Sequence, residues 1–238
     1  MKNCIIASTS TVYGSGYLEY LQPELKLFFQ NTTKLIFIPY AQPGGITCDQ
    51  YTQQVQKAFD FLNIEVIGIH TLSNPQEALL QAEGIFTGGG NTFRLVTSLY
   101  QNQLIDALRQ AILNGVPYLG TSAGSNICGV SMQTTNDMPI IYPPSFNTLG
   151  ILPFNINPHY LDPVPGSTHM GETRETRIKE FHSIHNLAVI GLREGSWIRV
   201  QGEKYVLQGE LTARVFQAHT SPFEVKSGTD LGSIVNEF

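Results

Sequence analysis

The run Val116-Pro117-Tyr118-Leu119-Gly120-Thr121-Ser122-Ala123-Gly124-Ser125-Asn126 decides the architecture. Val116 to Leu119 is an apolar run of the buried-strand type, and a helix is expected after Gly124. A chain that turns from strand into helix within a few residues crowds its own flanks. Gly120 and Gly124 stand where side chains would collide. Ser122, between them, is pushed up at the carboxyl edge of a sheet, beside the free N–H groups and partial positive charge of a helix start. That makes Ser122 the candidate nucleophile; the alternative is a structural turn whose serine caps the next helix.

Upstream, continuous apolar strands alternate with amphipathic helices. Cys4–Ala7, Leu35–Ile38, Ile64–Ile69 and Gly84–Phe86 read as buried strands. Leu21, Leu25, Phe28 and Phe29, then Tyr51, Val55, Phe59 and Leu62, then Phe93, Val96, Leu99 and Tyr100, then Leu104, Leu108 and Ile112, recur at helical spacing. Pro23 marks one helix start and Asn114-Gly115 one helix end. This βαβ alternation predicts an α/β fold, a mostly parallel sheet with helices on both faces, whose ligands gather at the carboxyl ends of the strands. Beyond Leu187 helical periodicity stops and short strands follow, at 188–190, 197–200, 205–207 and 215–216. They predict a β-rich carboxyl-terminal end that finishes the sheet and adds a small antiparallel ribbon. No linker or repeat divides the chain, which reads as one domain over residues 1–238.

Thr87-Gly88-Gly89-Gly90-Asn91-Thr92 follows the fourth strand. It has neither the Gly-x-Gly-x-x-Gly spacing nor the Gly-Lys-Ser/Thr ending of a phosphate cradle. A glycine run on the edge where Ser122 opens supplies instead unshielded backbone N–H groups for an oxyanion, or else a flexible turn. Past the elbow, Asp137 is the nearest downstream loop acid, fit to orient a histidine or simply to close a turn before Met138-Pro139. His159, behind Pro158 in an irregular stretch, is the best-placed base. His182 and His185 lie three apart on an expected helix without a third ligand of fitting spacing, and read as helix-end residues; His70, His169 and His219 complete the set. Arg174 and Arg177 share one face of a helix opening near Gly171, amid glutamates that would make them a solvated, salt-bridged surface.

The net charge of −5, with 14% charged residues and no basic cluster, argues against nucleic acid. Cys4, Cys48 and Cys128, an odd count without metal spacing, read as reduced, mostly buried thiols of a cytoplasmic protein. No signal-peptide core is seen, and no apolar run approaches about 18 residues, so no membrane association is expected.

Five motifs, Gly88–Phe93, Gly120–Gly124, Thr134–Pro139, Asn157–Tyr160 and Gly171–Arg174, together resemble the peptidase E family of aspartyl dipeptidases, serine peptidases grouped with the cyanophycinases. The resemblance spans Cys4 to about Trp197. It implies a class I glutamine amidotransferase-like α/β fold and hydrolysis of dipeptides with amino-terminal aspartate, with no metal or other cofactor. Carried over, Ser122 is the nucleophile, His159 the general base and Asp137 the orienting acid, with Glu194 a rival for that third place. Gly89 and Ala123 are the expected oxyanion donors, Ala123 because it follows the nucleophile. Selectivity for aspartate demands a cation, and Arg174, with Arg177 second, is the expected substrate-binding residue. A cyanophycinase-like hydrolase of a β-aspartyl-arginine polymer and a non-enzymatic binding protein on the same fold are the competing readings. Oligomeric state is not legible at this level.

Overall fold

The computed structural model describes residues 1–235 apart from 43, 164, 165, 167 and 169. The first half builds β1 (Asn3–Ala7), α1 (Gln22–Phe28), β2 (Lys34–Ile38), α2 (Cys48–Phe59), β3 (Glu65–Gly68), α3 (Pro75–Leu80), β4 (Ile85–Thr87), α4 (Thr92–Gln101), α5 (Ile105–Leu113) and β5 (Tyr118–Thr121). The second builds α6 (Ala123–Asn126), β6 (Asn155–Pro158), α7 (Arg174–Phe181), β7 (Val189–Leu192), β8 (Trp197–Gln201), β9 (Lys204–Gln208), β10 (Ala213–Phe216), β11 (Phe223–Val225) and α8 (Leu231–Val235).

A seven-stranded sheet runs in the order β3-β2-β4-β5-β1-β8-β9. Its first five strands are mutually parallel; beyond β1 the chain adds β8, antiparallel to β1, and β9, antiparallel to β8. Successive strand residues point to opposite faces, so the apolar runs bury on both. Ile5, Leu35, Phe37, Phe86 and Leu119 pack under α1 and α2 with Leu25, Val55 and Phe59. Cys4, Ile6, Ile38, Ile85 and Tyr118 pack under α4 and α5 with Leu95, Leu99, Leu108 and Ile112. The expected mostly parallel sheet with helices on both faces is what the chain forms.

The carboxyl-terminal end departs from expectation in one respect. β8 and β9 do finish the sheet, but the rest is a second, four-stranded sheet, β11-β10-β7-β6, rather than a ribbon. Its outermost strand, β6, falls in the stretch read as irregular. Asn155 and Asn157 give it no apolar signal because both side chains turn onto the 131–136 loop: Asn155 onto the N–H and hydroxyl of Ser131, Asn157 onto Thr134 O and Asn136 Oδ1. The short α3 also carried no pattern long enough to read. Cys4, Cys48 and Cys128 are free thiols, and burial pushes Cys4 up to about 12. Among the described residues no helix is long and apolar enough to cross a membrane.

Candidate active site

β5 ends at Thr121, and Ser122 turns the chain with φ 54° and ψ −111° before α6 begins. Such a backbone angle is strained for a residue with a side chain and is held by its surroundings. Ala7 O, at the end of β1, accepts the Ser122 N–H at 3.2 Å. A Cβ on Gly120 would stand 2.5 Å from Gly124 O, and one on Gly124 would overlap Thr87 O. Both glycines are therefore steric requirements of the elbow. α6 is a single turn, four residues long, so an oxyanion donor there is the N–H group itself rather than a summed helix dipole.

His159 lies one residue beyond β6, also at positive φ (54°). Its Nε2 is 2.8 Å from Ser122 Oγ, and its Nδ1 is 2.6 Å from Glu194 Oε1. A carboxylate accepts only, so Nδ1 carries the proton and Nε2 is left to accept from the serine hydroxyl. The parallel register of β6 and β7 brings the pair together. Pro158 stands opposite Leu192, which places the next residues, His159 and the turn at Arg193-Glu194, side by side.

Asp137 is not on the histidine, contrary to expectation. Its Oδ2 accepts the Thr92 N–H at 2.6 Å and the Thr135 hydroxyl at 3.1 Å, at the start of α4. A free N–H at a helix start is a strong claim on a nearby carboxylate, and Asp137 answers it. Glu194, the rival, holds the place behind His159.

The glycine run lies against the elbow as expected. A Cβ on Gly89 would come to 3.0 Å from Ser122 Cβ, one on Gly88 would overlap the Tyr51 hydroxyl, and one on Gly90 would overlap Ala41 O. Gly89 O is held by the Tyr51 hydroxyl and Gln42 Nε2, both at 3.2 Å. No acceptor among the described residues takes the N–H of Gly89 or of Ala123. A cavity of about 330 Å³ opens over Ser122 and His159, walled by Thr9, Tyr17, Gln42 and Gly89.

The two arginines separate. Arg177 is exposed and pairs with Glu172 at 3.4 Å, the surface role weighed for both. Arg174 is half-buried and makes no hydrogen bond or ion pair among the described residues. Burial, then the neighbouring Arg177 charge, push its guanidinium below the ordinary value, against the opposing pull of Asp137. His182 caps α7 and bonds Leu187 O, while His185 stacks on Phe181, so both are helix-end residues as read. His169 lies outside the described residues.

One group escaped the sequence altogether. The buried Ser8 hydroxyl donates to Leu192 O at 2.7 Å and accepts the His159 N–H at 2.8 Å, tying β1 to both strands of the second sheet that carry the site. A serine after a strand in a Ser/Thr-rich loop carries no signal of such a task.

A part-exposed hydroxyl bonded to an imidazole, on an elbow at the carboxyl edge of a mostly parallel sheet, defines a class of molecule, the serine-type hydrolases. Residues 4–208 match the model of peptidase family S51, and the chain belongs to that family. It is 47% identical to Peptidase E of Streptomyces coelicolor over 98% of its own length and 95% of that protein's. To the Probable alpha-aspartyl dipeptidase of Drosophila melanogaster it is 46% identical, covering 97% and 96%. Among solved structures, a putative Peptidase E protein from Listeria monocytogenes superposes with a TM-score of 0.66 at 22% identity, over 88% of this chain and 98% of that one, a likeness of fold.

Proposed function

We propose that this protein is a cytoplasmic serine dipeptidase, working as one α/β domain, that hydrolyses dipeptides with amino-terminal aspartate. The observation that carries the chemistry is the hydrogen-bonded line Ser122–His159–Glu194. The relatives named Peptidase E and Probable alpha-aspartyl dipeptidase support the substrate class.

In this reading Ser122 Oγ bonds to the α-carbonyl carbon of the aspartate while His159 Nε2 takes its proton. The oxyanion accepts from the N–H groups of Gly89 and Ala123. Glu194 keeps the proton on Nδ1 and stabilises the imidazolium. Collapse breaks the C–N bond, and the leaving amine takes the proton from Nε2. Water, deprotonated by the same nitrogen, then attacks the acyl-enzyme, and Ser122 recovers its hydrogen as aspartate departs. Arg174, half-buried and without a partner carboxylate of its own among the described residues, receives the aspartate side chain.

Steady-state hydrolysis of Asp-Leu against Leu-Leu tests the proposal. Asp-Leu is expected to be turned over and Leu-Leu to be nearly inert, with Ser122→Ala lowering kcat by about 10⁶-fold while the protein stays folded. Equal rates on the two dipeptides overturn the substrate class; an active Ser122→Ala protein overturns the nucleophile.

A further inference from the structure

The centre of the glycine loop is held through a single atom among the described residues. At the loop's two ends the Gly88 N–H donates to Ile38 O at 3.4 Å and the Asn91 N–H to Ala41 O at 2.6 Å. Between them the N–H groups of Gly89 and Gly90 meet no acceptor among the described residues. Gly89 O is engaged twice, by the Tyr51 hydroxyl and by Gln42 Nε2. A phenol has one hydrogen to give, so the Tyr17 hydroxyl, 3.4 Å from that of Tyr51, is the donor of that pair. A directed line results, from Tyr17 to Tyr51 to Gly89 O. Burial pushes the Tyr51 phenol up, so it keeps its hydrogen at neutral pH. Tyr51 lies on α2, only 3% exposed, with its ring edge-on to Phe37 at 4.9 Å, and its hydroxyl is therefore delivered from a fixed side. It has room to reach Gly89 O because Gly88 carries no side chain: a Cβ there would overlap the hydroxyl.

We propose that Tyr51 is a positioning residue of the oxyanion hole: with Gln42 it holds the peptide between Gly89 and Gly90 so that the loop meets the oxyanion with N–H groups. The assignment rests on the dipeptidase reading above and adds what keeps the glycine side of the hole in shape. In a trans peptide the C=O and N–H point in opposite directions, so an oxygen fixed on Tyr51 and Gln42 also fixes the aim of the Gly90 N–H. It fixes rotation about the Gly89 Cα–C bond as well, on whose other side the Gly89 N–H lies. With glycine on both sides, that peptide has no steric brake of its own. Turned over, it would offer a carbonyl oxygen to a developing negative charge, whereas oxyanion stabilisation depends on donors already aimed. The loop is close enough for this to matter. A Cβ on Gly89 would stand 3.0 Å from Ser122 Cβ, and Gln42, Tyr51, Gly89 and Gly90 line the cavity over Ser122.

The test removes the two donors singly and together. Tyr51→Phe keeps the ring on Phe37 and loses the hydroxyl; Gln42→Leu loses the amide. Two donors that share one acceptor back each other up, so kcat on Asp-Leu is expected to fall about 3- to 10-fold in either single variant. In the double variant it should fall about 10²- to 10³-fold, the cost of an oxyanion donor and more than the product of the single losses. KM, and the Kd of Asp-Leu on Ser122→Ala with and without the two substitutions, should move less than about threefold, because the bound substrate carries no oxyanion. A Tyr51 that served only the core would lower the melting temperature and leave the kcat of the folded protein unchanged. Crystal structures of the wild type and the double variant read the peptide without turnover, and Gly89 O is expected to leave its wild-type position. A double variant with undiminished kcat, a loss carried by KM instead, or a Gly89 O that stays in place overturns the assignment. A wild type that cleaves neither Asp-Leu nor Leu-Leu overturns the dipeptidase reading, and the position of Gly89 O in the double variant then decides this one by itself.

Discussion

Glu194 and Asp137 both accept a hydrogen bond at the site, and what separates them is which donor each meets. Glu194 meets an imidazole N–H at 2.6 Å, whereas Asp137 meets the N–H that opens α4. Exchanging Glu194 for Gln offers Nδ1 an amide that can also donate, which lets the imidazole carry its proton on the wrong nitrogen. By analogy with other triads the expected cost in kcat is up to about 10⁴-fold. Glu194 is half exposed, so water substituting for the carboxylate should hold the loss at or below that limit. A Glu194→Gln protein with undiminished kcat would return the third place to another residue. Arg174→Met isolates the other charge. If the guanidinium grips the aspartate side chain, kcat/KM on Asp-Leu should drop about 30- to 5,000-fold while the trace rate on Asn-Leu barely moves. Parallel kinetics on the two dipeptides check this, and equal losses would make Arg174 structural. At this scale Ser122 and His159 were readable because their neighbours, the flanking glycines and Pro158, restrict the local backbone. Glu194 entered only as a rival supplied by the family resemblance, because its contact with His159 is made between two strands rather than along one.

Those strands set the site through their register. Pairing Asn155 with Val189 and Pro158 with Leu192 carries His159 and Glu194 to the same end of the second sheet, while Ser122 comes from the first. The Ser8 hydroxyl is the tie between them, accepting from the His159 N–H and donating to Leu192 O. Ser8→Ala removes that tie and leaves a part-buried N–H and a carbonyl without this partner. It should cost about 1–3 kcal/mol of stability. It should also lower kcat about 10- to 100-fold, because a small displacement of a base is expensive. KM should change little, since Ser8 is buried and reaches no bound group. A thermal melt and a kcat–KM split check the two parts separately; a raised KM with unchanged kcat would contradict the positioning role. β6 escaped reading for a physical reason: its buried polar positions are satisfied by a loop, so neither alternation nor an apolar run betrays a strand. β1 to β5, buried on both faces, wrote themselves as apolar runs.

Across the whole molecule, two sheets converge on one short element. Ser125 Oγ in α6 bonds Ala7 O at 2.6 Å and Gly120 O at 2.7 Å in the first sheet, and Asn126 Nδ2 bonds Ile156 O at 2.9 Å in the second. At the outer side of the second sheet an ion-pair network ties α7, β10, β11 and the turn that carries Glu194. Arg193 bonds Asp162, Glu224 and Thr212, and Arg214 bonds Glu175 and Glu224. This network was invisible in the sequence because its charges lie far apart along the chain. It predicts an acid limb of stability. Burial raises the Glu224 carboxyl, but hydrogen bonds from Arg193, Thr212 and Arg214 outweigh it and hold the group down at about 2, against an ordinary value of 4.5. A carboxyl with a depressed folded-state value binds fewer protons folded than unfolded. Its stabilisation is therefore complete above about pH 4.5 and is lost as pH falls toward 2. Glu175, held down first by Lys179 and also by Arg214, contributes in the same sense. Denaturant midpoints of the wild type and Glu224→Gln should therefore differ most near neutrality, with the variant less stable, and converge as the acid window is crossed. Curves that stay parallel from neutral pH down to about pH 2 would mean that the Glu224 charge contributes nothing to holding the second sheet together.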